Sequence, residues 1–167
     1  QFNFRPDDIR EISVAGIEKL VTHHAIYRPT DLMMAQYSIP FCVALSLYFD
    51  PTGPSSFDER KLKDKKILAM MRRVRLKVDH EIETKGWDRA ARVSVVLANK
   101  RRASTLVIHF KGTPHNPMTQ PEVENKARKL TRAILPERKL DQLIETVARL
   151  EKLDDVSHIG KMLRVRR

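Results

Sequence analysis

The chain has little of several residue types, and each shortage excludes a class of protein. Its 167 residues include one cysteine, Cys42, so no internal disulfide can form, and we expect a reducing compartment, the cytoplasm. No apolar run approaches the roughly 18 residues that a membrane span needs, and the N-terminus lacks the pattern of a secretory signal. The low glycine count, five, and the hydrophobic fraction of 41% both argue against disorder. We therefore expect a folded protein with no membrane partner.

The formal charge of +11 is the strongest bias in the composition. Such an excess of basic residues is typical of proteins that bind nucleic acid, anionic membranes or anionic small molecules. The basic residues lie in separate segments, at residues 73–78, 100–102 and 164–167. This scattered distribution predicts solvated surfaces rather than one nucleic-acid interface, so we expect no nucleic-acid partner.

The period of the apolar pattern switches between two and about 3.6, which predicts a mixed α+β chain. The segments that we predict to be extended are residues 9–14, a continuation or pairing partner at residues 17–26, and residues 73–78, 92–98 and 103–110. Asn99 suits the tight turn of a hairpin between the last two, because asparagine tolerates the left-handed conformation. We expect one antiparallel sheet of about four strands.

Helix signals separate these segments. Thr30 is predicted to cap a first helix, and Pro40 suits the first turn of a second helix that runs through Tyr48. We expect a break between the two near Ser38. A further short helix is predicted to end at Met71.

The last third of the chain is predicted to be helical. Thr119 and Glu122 have the spacing of a capping box, with Pro121 near the helix start. The apolar stripes that we interpret as packing surfaces comprise Val123, Ala127, Leu130 and Ile134, then Leu140, Leu143, Ile144, Val147 and Leu150. Asp154 or Asp155 is predicted to cap a final short helix. We expect residues 1–167 to form a single α+β domain with helices packed on the sheet.

Two segments carry a resemblance to a known family. Residues 35–41 read Ala-Gln-Tyr-Ser-Ile-Pro-Phe, which resembles the Ala-Gln-Phe-Ser-Leu-Pro-Tyr stretch of the MmgE/PrpD family. Residues 112–118 read Gly-Thr-Pro-His-Asn-Pro-Met, which is similar to the family's Gly-x-Pro-x-x-Pro-Leu turn. The order of helices and strands around both segments is also similar, as is the ending at residues 150–156. The resemblance covers nearly the whole chain.

This resemblance implies a function. The family includes 2-methylcitrate dehydratases, cis-aconitate decarboxylases and iminodisuccinate epimerases, which act on small polycarboxylates without a metal or an organic cofactor. Its members have a large all-helical N-terminal domain and a smaller α+β domain that caps the active-site cleft. We expect this chain to be the cap and to be inactive alone. The expected partners are a polycarboxylate substrate, the N-terminal helical domain of the same protein, and a second copy in a homodimer.

The resemblance points to Gln36, Tyr37 and Ser38 as substrate-binding residues. A break before a helix can present backbone N–H groups and a hydroxyl to a carboxylate. Dehydratase and decarboxylase members carry His at the position of Tyr37 and Tyr at that of Phe41, so this chain lacks an imidazole and a phenol there. The catalytic residues stay unknown, because the family's acid/base groups come mostly from the helical domain.

Two further pairs of polar residues are candidates for a site, and two rival functions are consistent with the sequence. His23 and His24 are adjacent and would point to opposite faces of a strand, so we expect no metal site. His115 and Asn116 either line a cleft or only form their proline-bracketed turn. The rival functions are a basic nucleic-acid-binding module and a non-catalytic dimerisation or interaction domain.

Overall fold

Four strands form one sheet in the computed structural model, which describes residues 4–164 without the side chain of Pro54. The strands are β1 (Ile9–Gly16), β2 (Val74–Val78), β3 (Ala91–Leu97) and β4 (Arg102–Val107). They lie in the order β2-β1-β3-β4, so β1 and β3 are central and β2 and β4 are the edges. The predicted α+β class is confirmed.

The predicted antiparallel arrangement is wrong for one pair of strands. β3 is antiparallel to β1 and to β4, but β1 and β2 are parallel, with Ile12 beside Val74. The reason is the connection: a tight hairpin reverses the chain, whereas the helices between β1 and β2 carry the chain back to the end of the sheet where β1 began. The sheet is therefore mixed.

The helices fall into three groups along the chain. The bounds are α1 (Glu18–His24), α2 (Leu32–Tyr37), α3 (Ile39–Ser46), α4 (Glu59–Leu62) and α5 (Lys65–Met71) between β1 and β2, α6 (His80–Thr84) after β2, and α7 (Gln120–Thr131), α8 (Glu137–Ala148) and α9 (Ser157–Met162) after β4. Short 3-10 turns occur at Pro6–Asp8, Pro54–Ser56 and Leu150–Lys152.

Residues 17–26 contain helix α1, so the prediction of a second extended segment is wrong. The positions that recur there at helical spacing are Ile17, Leu20, Val21 and His24. β1 ends at Gly16, where a Cβ would lie 3.0 Å from Leu20 Cδ1 and 3.3 Å from the carbonyl oxygen of Ala90. The absence of a side chain at this glycine lets the first turn of α1 pack directly against the end of the sheet.

The core lies between the inner face of the sheet and the helices that connect β1 to β2. Ile12 and Val74 on neighbouring strands, Phe41 and Leu45 on α3, and Ile67 on α5 are all fully buried in one apolar cluster. A buried phenylalanine or leucine stabilises the fold by about 1.5–3 kcal/mol relative to exposure. Helix α3 is thus anchored by its apolar side chains, and its first residues are held in a fixed place.

Two local predictions are wrong by one residue. The β3–β4 hairpin is confirmed, but Lys100 takes the left-handed conformation (φ +67°), while Asn99 uses its side-chain oxygen to accept a backbone N–H of the turn. Helix α2 is capped by Asp31 rather than Thr30, and the Asp31 carboxylate accepts a first-turn N–H at 2.8 Å. A carboxylate is the stronger acceptor for a helix N-terminus, which favours the aspartate.

The described residues divide into two compact units between Pro117 and Met118, and the second unit contains α7, α8 and α9. The predicted capping box is present, because the Thr119 N–H donates to Glu122 Oε2 at 2.7 Å. Leu140 is buried, whereas the stripe of α7 is open, with Val123 48% and Leu130 42% exposed. A single domain over residues 1–167 stays a prediction.

Candidate functional site

Residues 36–38 form a sharp corner between α2 and α3, at the break that the sequence predicted. The buried Ser38 hydroxyl donates to the carbonyl oxygen of Ile26 at 2.5 Å and accepts the Phe41 N–H at 3.0 Å. Ser38 is therefore the N-cap of α3, and Pro40 lies in the first turn, where a missing N–H costs nothing. Its hydroxyl holds the corner in place.

Gln36 and Tyr37 are exposed at the same corner, and Tyr37 rests on His24 of α1. The two rings are parallel within 5°, with centroids 6.2 Å apart, and His24 Nδ1 lies 3.0 Å from the Tyr37 carbonyl oxygen. A carbonyl can only accept, so Nδ1 carries the hydrogen in this bond. Nε2 of a neutral His24 is then the unprotonated nitrogen.

An open pocket of about 440 Å³ lies below this corner, where Ile39 lines it but the predicted residues Gln36, Tyr37 and Ser38 do not. His24 and Lys19 of α1 line it together with Ile39, the first residue of α3. The segment before β3 contributes Asp88 and Arg89. Two basic side chains and an imidazole thus border a partly apolar depression.

A second open pocket, of about 520 Å³, lies beside the proline-bracketed turn. His109 and His115 line it with their rings stacked, at a centroid distance of 4.4 Å. The turn is closed by the Gly112 N–H, which donates to the Asn116 carbonyl oxygen at 2.8 Å, and by the Asn116 amide, which donates to the His109 carbonyl oxygen at 3.0 Å. Of the two predicted candidates here, His115 borders the cleft and Asn116 builds the turn.

Asp88, Arg89 and Phe110 line both pockets, so the pockets are parts of one groove. We call these two pockets together the basic groove. It brings Ile39, which directly follows the corner at residues 36–38, and residues 112–115 of the turn to one concave surface. Its lining carries Lys19, Arg89 and three imidazoles against a single acidic side chain, Asp88. A surface of this composition attracts small anions and can form charge-assisted hydrogen bonds with them.

Helix α6 and strand β3 flank the segment that carries Asp88 and Arg89. The Asp79 carboxylate accepts first-turn N–H groups of α6 and also accepts Arg92 Nε from β3 at 2.8 Å, while Glu81 accepts a second nitrogen of Arg92 at 2.6 Å. The hydrogen bond from Arg92 is the main cause that lowers the pKa of Asp79. Glu83 of the same helix accepts the Glu18 N–H at the start of α1, at 2.9 Å. These bonds tie α6 to β3 and to α1.

Sequence reasoning missed His24, Lys19 and Arg89. An extended segment at residues 17–26 makes His24 only half of an improbable metal pair, whereas the helical spacing from Ile17 to His24 indicates a helix. Within residues 4–164, no three His, Cys, Asp or Glu side chains come together in a way that would hold one metal ion. Cys42 is partly buried, and burial raises the pKa of its thiol, so it offers no thiolate.

The chain matches the model of the MmgE/PrpD C-terminal domain over residues 1–152, and it therefore belongs to the MmgE/PrpD family. The predicted resemblance is confirmed at the level of this domain. No curated protein matches the chain. Of the helices in the described part of the chain, none combines the length and the apolar character needed to cross a bilayer.

Proposed function

We propose that this chain is the cap domain of a lyase or isomerase that acts on small polycarboxylates without a metal or organic cofactor, in the manner of 2-methylcitrate dehydratase. The observation that carries the proposal is the basic groove. The two segments that resemble the family border this groove, and the chain belongs to that family. An anionic substrate fits a groove whose lining carries Lys19, Arg89 and three imidazoles against one carboxylate, Asp88.

The substrate carboxylates would bind Lys19 and Arg89. Both side chains are exposed at the pocket below the corner, so they can reach a ligand without first breaking a buried contact. A hydrogen bond to a charged group contributes about 1.5–3 kcal/mol, and a guanidinium can hold a carboxylate through two parallel bonds. Two such contacts would orient a dicarboxylate along the basic groove.

Gln36 and Tyr37 would contact the substrate from the corner, next to His24. The bond between His24 Nδ1 and the Tyr37 carbonyl leaves Nε2 to accept a proton, or to donate one once the ring is protonated. His24 would therefore supply an imidazole close to the place where other members carry one in the position of Tyr37. Ser38 would act through the shape of the corner, because its hydroxyl already makes two internal bonds.

The chemical step would be completed by the helical domain. Removing a proton next to a carboxylate requires a base at hydrogen-bond distance and cations that stabilise the enolate-like charge. The basic groove would supply cations, and the base would come from the other domain. A homodimer and a cytoplasmic location are part of the same proposal.

The test is a substrate screen with the full-length protein. We would measure turnover of 2-methylcitrate, cis-aconitate and related diacids for the unmodified enzyme, Arg89→Gln and Arg10→Gln. Arg10 is an exposed arginine of β1 outside the lining of the basic groove, which makes Arg10→Gln the matched control. We expect Arg89→Gln to raise KM about 10- to 100-fold, which corresponds to the loss of one charged hydrogen bond. Arg10→Gln should leave KM unchanged.

Two results would contradict this proposal. Equal KM values for Arg89→Gln and the unmodified enzyme would remove the basic groove from substrate binding. Turnover by residues 1–167 alone, with folding verified by circular dichroism, would show that the chain is more than a cap.

A further inference from the structure

The hairpin between β3 and β4 carries a basic cluster that the basic groove does not use. Lys100, Arg101 and Arg102 occupy the turn and the first position of β4, and Ser104 follows two residues later. All four side chains are exposed. The chain therefore presents two guanidinium groups at two and three residues before an exposed serine.

Ser104 lies on the outer face of the sheet in a row of hydroxyl side chains. The register places Ser13 opposite Ser94 and Ser94 opposite Ser104, and the Ser94 and Ser104 hydroxyls are 2.8 Å apart. Ser13 and Ser94 belong to the central strands β1 and β3, which have a strand on each side. Ser104 belongs to the edge strand β4. Within the described residues, it is therefore the serine of this row whose strand has a neighbour on only one side.

We propose that Ser104 is a phosphorylation site for a serine kinase that recognises basic residues before its target. Kinases select substrates by charge pattern, and carboxylate-lined subsites bind guanidinium groups in a bidentate manner. They also bind their targets in extended form, and an edge strand is already extended, with unpaired backbone groups on one side. Arg101 and Arg102 supply the charge, and β4 supplies the conformation.

The transfer uses ATP and magnesium as co-reactants. Ser104 Oγ attacks the γ-phosphorus, the bond from this phosphorus to the bridging oxygen breaks, and ADP leaves with the electron pair. The hydroxyl proton passes to the carboxylate base of the kinase. Before this step, the hydrogen bond between the Ser104 and Ser94 hydroxyls must break.

The product would have a charged partner on the same face. A phosphoserine adds a charge of about −1.5 to −2 and three strong acceptor oxygens. Arg102 is two residues away on the same strand and points to the same side. Arg92 is the diagonal neighbour on β3, but it already bonds Asp79 and Glu81. Arg102 is therefore the cation that can pair with the phosphate.

The experiment is phosphorylation of the native full-length protein by the catalytic subunit of cAMP-dependent kinase with magnesium and ATP, followed by peptide mass spectrometry. We expect one phosphate on Ser104. Ser104→Ala should abolish it, and Arg101→Gln combined with Arg102→Gln should slow it at least 10-fold. Ser94→Ala, which removes only the hydrogen-bond partner, should leave the rate within about twofold of the unmodified protein.

Three results would overturn the proposal. They are phosphate on Thr105 with none on Ser104, incorporation that requires prior denaturation in urea, and an unchanged rate in the double arginine variant. Circular dichroism of each variant separates a lost kinase site from a lost fold. Because the readout is phosphate on a named residue, its outcome does not depend on the proposed polycarboxylate activity.

Discussion

The corner at residues 36–38 adjoins the basic groove through Ile39 and the turn at residues 112–118 lines it directly, but the two segments are held in opposite ways. The corner is fixed by buried side chains, with the Ser38 hydroxyl bonded twice and Phe41 in the centre of the core. The turn is fixed by backbone groups and one amide, and its imidazole His115 is exposed. Substitutions of the buried side chains in the first region should therefore affect folding, and those of the exposed side chains in the second should mainly change the surface of the basic groove.

The largest effect should come from Phe41→Ala. Removing a fully buried phenylalanine ring leaves a cavity among packed side chains, and we expect the free energy of unfolding to fall by about 3–5 kcal/mol. The matched control is Phe110→Ala, since Phe110 is 42% exposed on the basic groove and should lose less than half as much. Urea unfolding followed by circular dichroism measures both. Equal losses would contradict the assignment of Phe41 to the buried core that holds the corner.

Ser38→Ala should have the next largest effect. The variant loses the cap of α3 and leaves the Ile26 carbonyl without its donor, which together should cost about 1–3 kcal/mol. Ser46→Ala is the control at the other end of α3, where an exposed hydroxyl donates to the Val43 carbonyl oxygen. Its loss should be within about 0.5 kcal/mol. A stability loss in Ser46→Ala as large as in Ser38→Ala would contradict the assigned cap.

The third prediction concerns pH and Asp79. Its pKa is lowered in the folded protein, chiefly by the hydrogen bond from Arg92, so the ionised carboxylate stabilises the fold above the unfolded pKa of about 3.9. That contribution disappears as the pH falls through the lower folded pKa. Asp79→Asn keeps a good helix cap but removes the charge.

Urea midpoints between pH 7 and pH 2 would measure this effect. The Asp79→Asn variant should be less stable than the unmodified protein at pH 7, and the difference should shrink at the acid end of the range. A difference that stays constant with pH would show that the loss arises from the cap rather than from the charge.

The smallest effect on stability should come from His115→Ala in the exposed turn. The stack on His109 is solvent-facing, and the hydrogen bonds that close the turn belong to other groups, so we expect a change within about 0.5 kcal/mol. Asn116→Ala removes an amide that bridges the turn and should cost more. Thermal unfolding would measure the stability loss of each variant. A larger loss for His115→Ala than for Asn116→Ala would show that the stacked imidazoles, rather than the Asn116 amide, stabilise the turn.

The sequence predicted the elements with local signals. Alternation identified β2, the hairpin followed from its flanking strands, and Pro40 and Ser38 marked the start of α3. The parallel pairing of β1 with β2 could not be predicted, because it depends on where a long connection returns and not on the residues of either strand.

The candidate site was predictable to a smaller extent. Tyr37 and His115 were named beforehand, because each lies in a segment that resembles the family. Lys19 and His24 were missed because α1 was interpreted as extended, although the helical spacing was present. Arg89 lies between elements, where no periodic signal exists, and its place in the basic groove follows from tertiary contacts alone. Substrate binding by Gln36, Tyr37 and Ser38 stays a prediction.

The parallel pair of strands also bears on how the chain folds. β3 and β4 are neighbours in sequence and need to close only a short loop, whereas β1 can meet β2 only after everything from Ile17 to Arg73 has been gathered between them. The entropy lost on closing a loop increases with its length, and contacts distant in sequence slow folding. We therefore expect the hairpin to appear first in a refolding time course, and the two ladders that β1 forms with β2 and with β3 to form later, because both join residues distant in sequence.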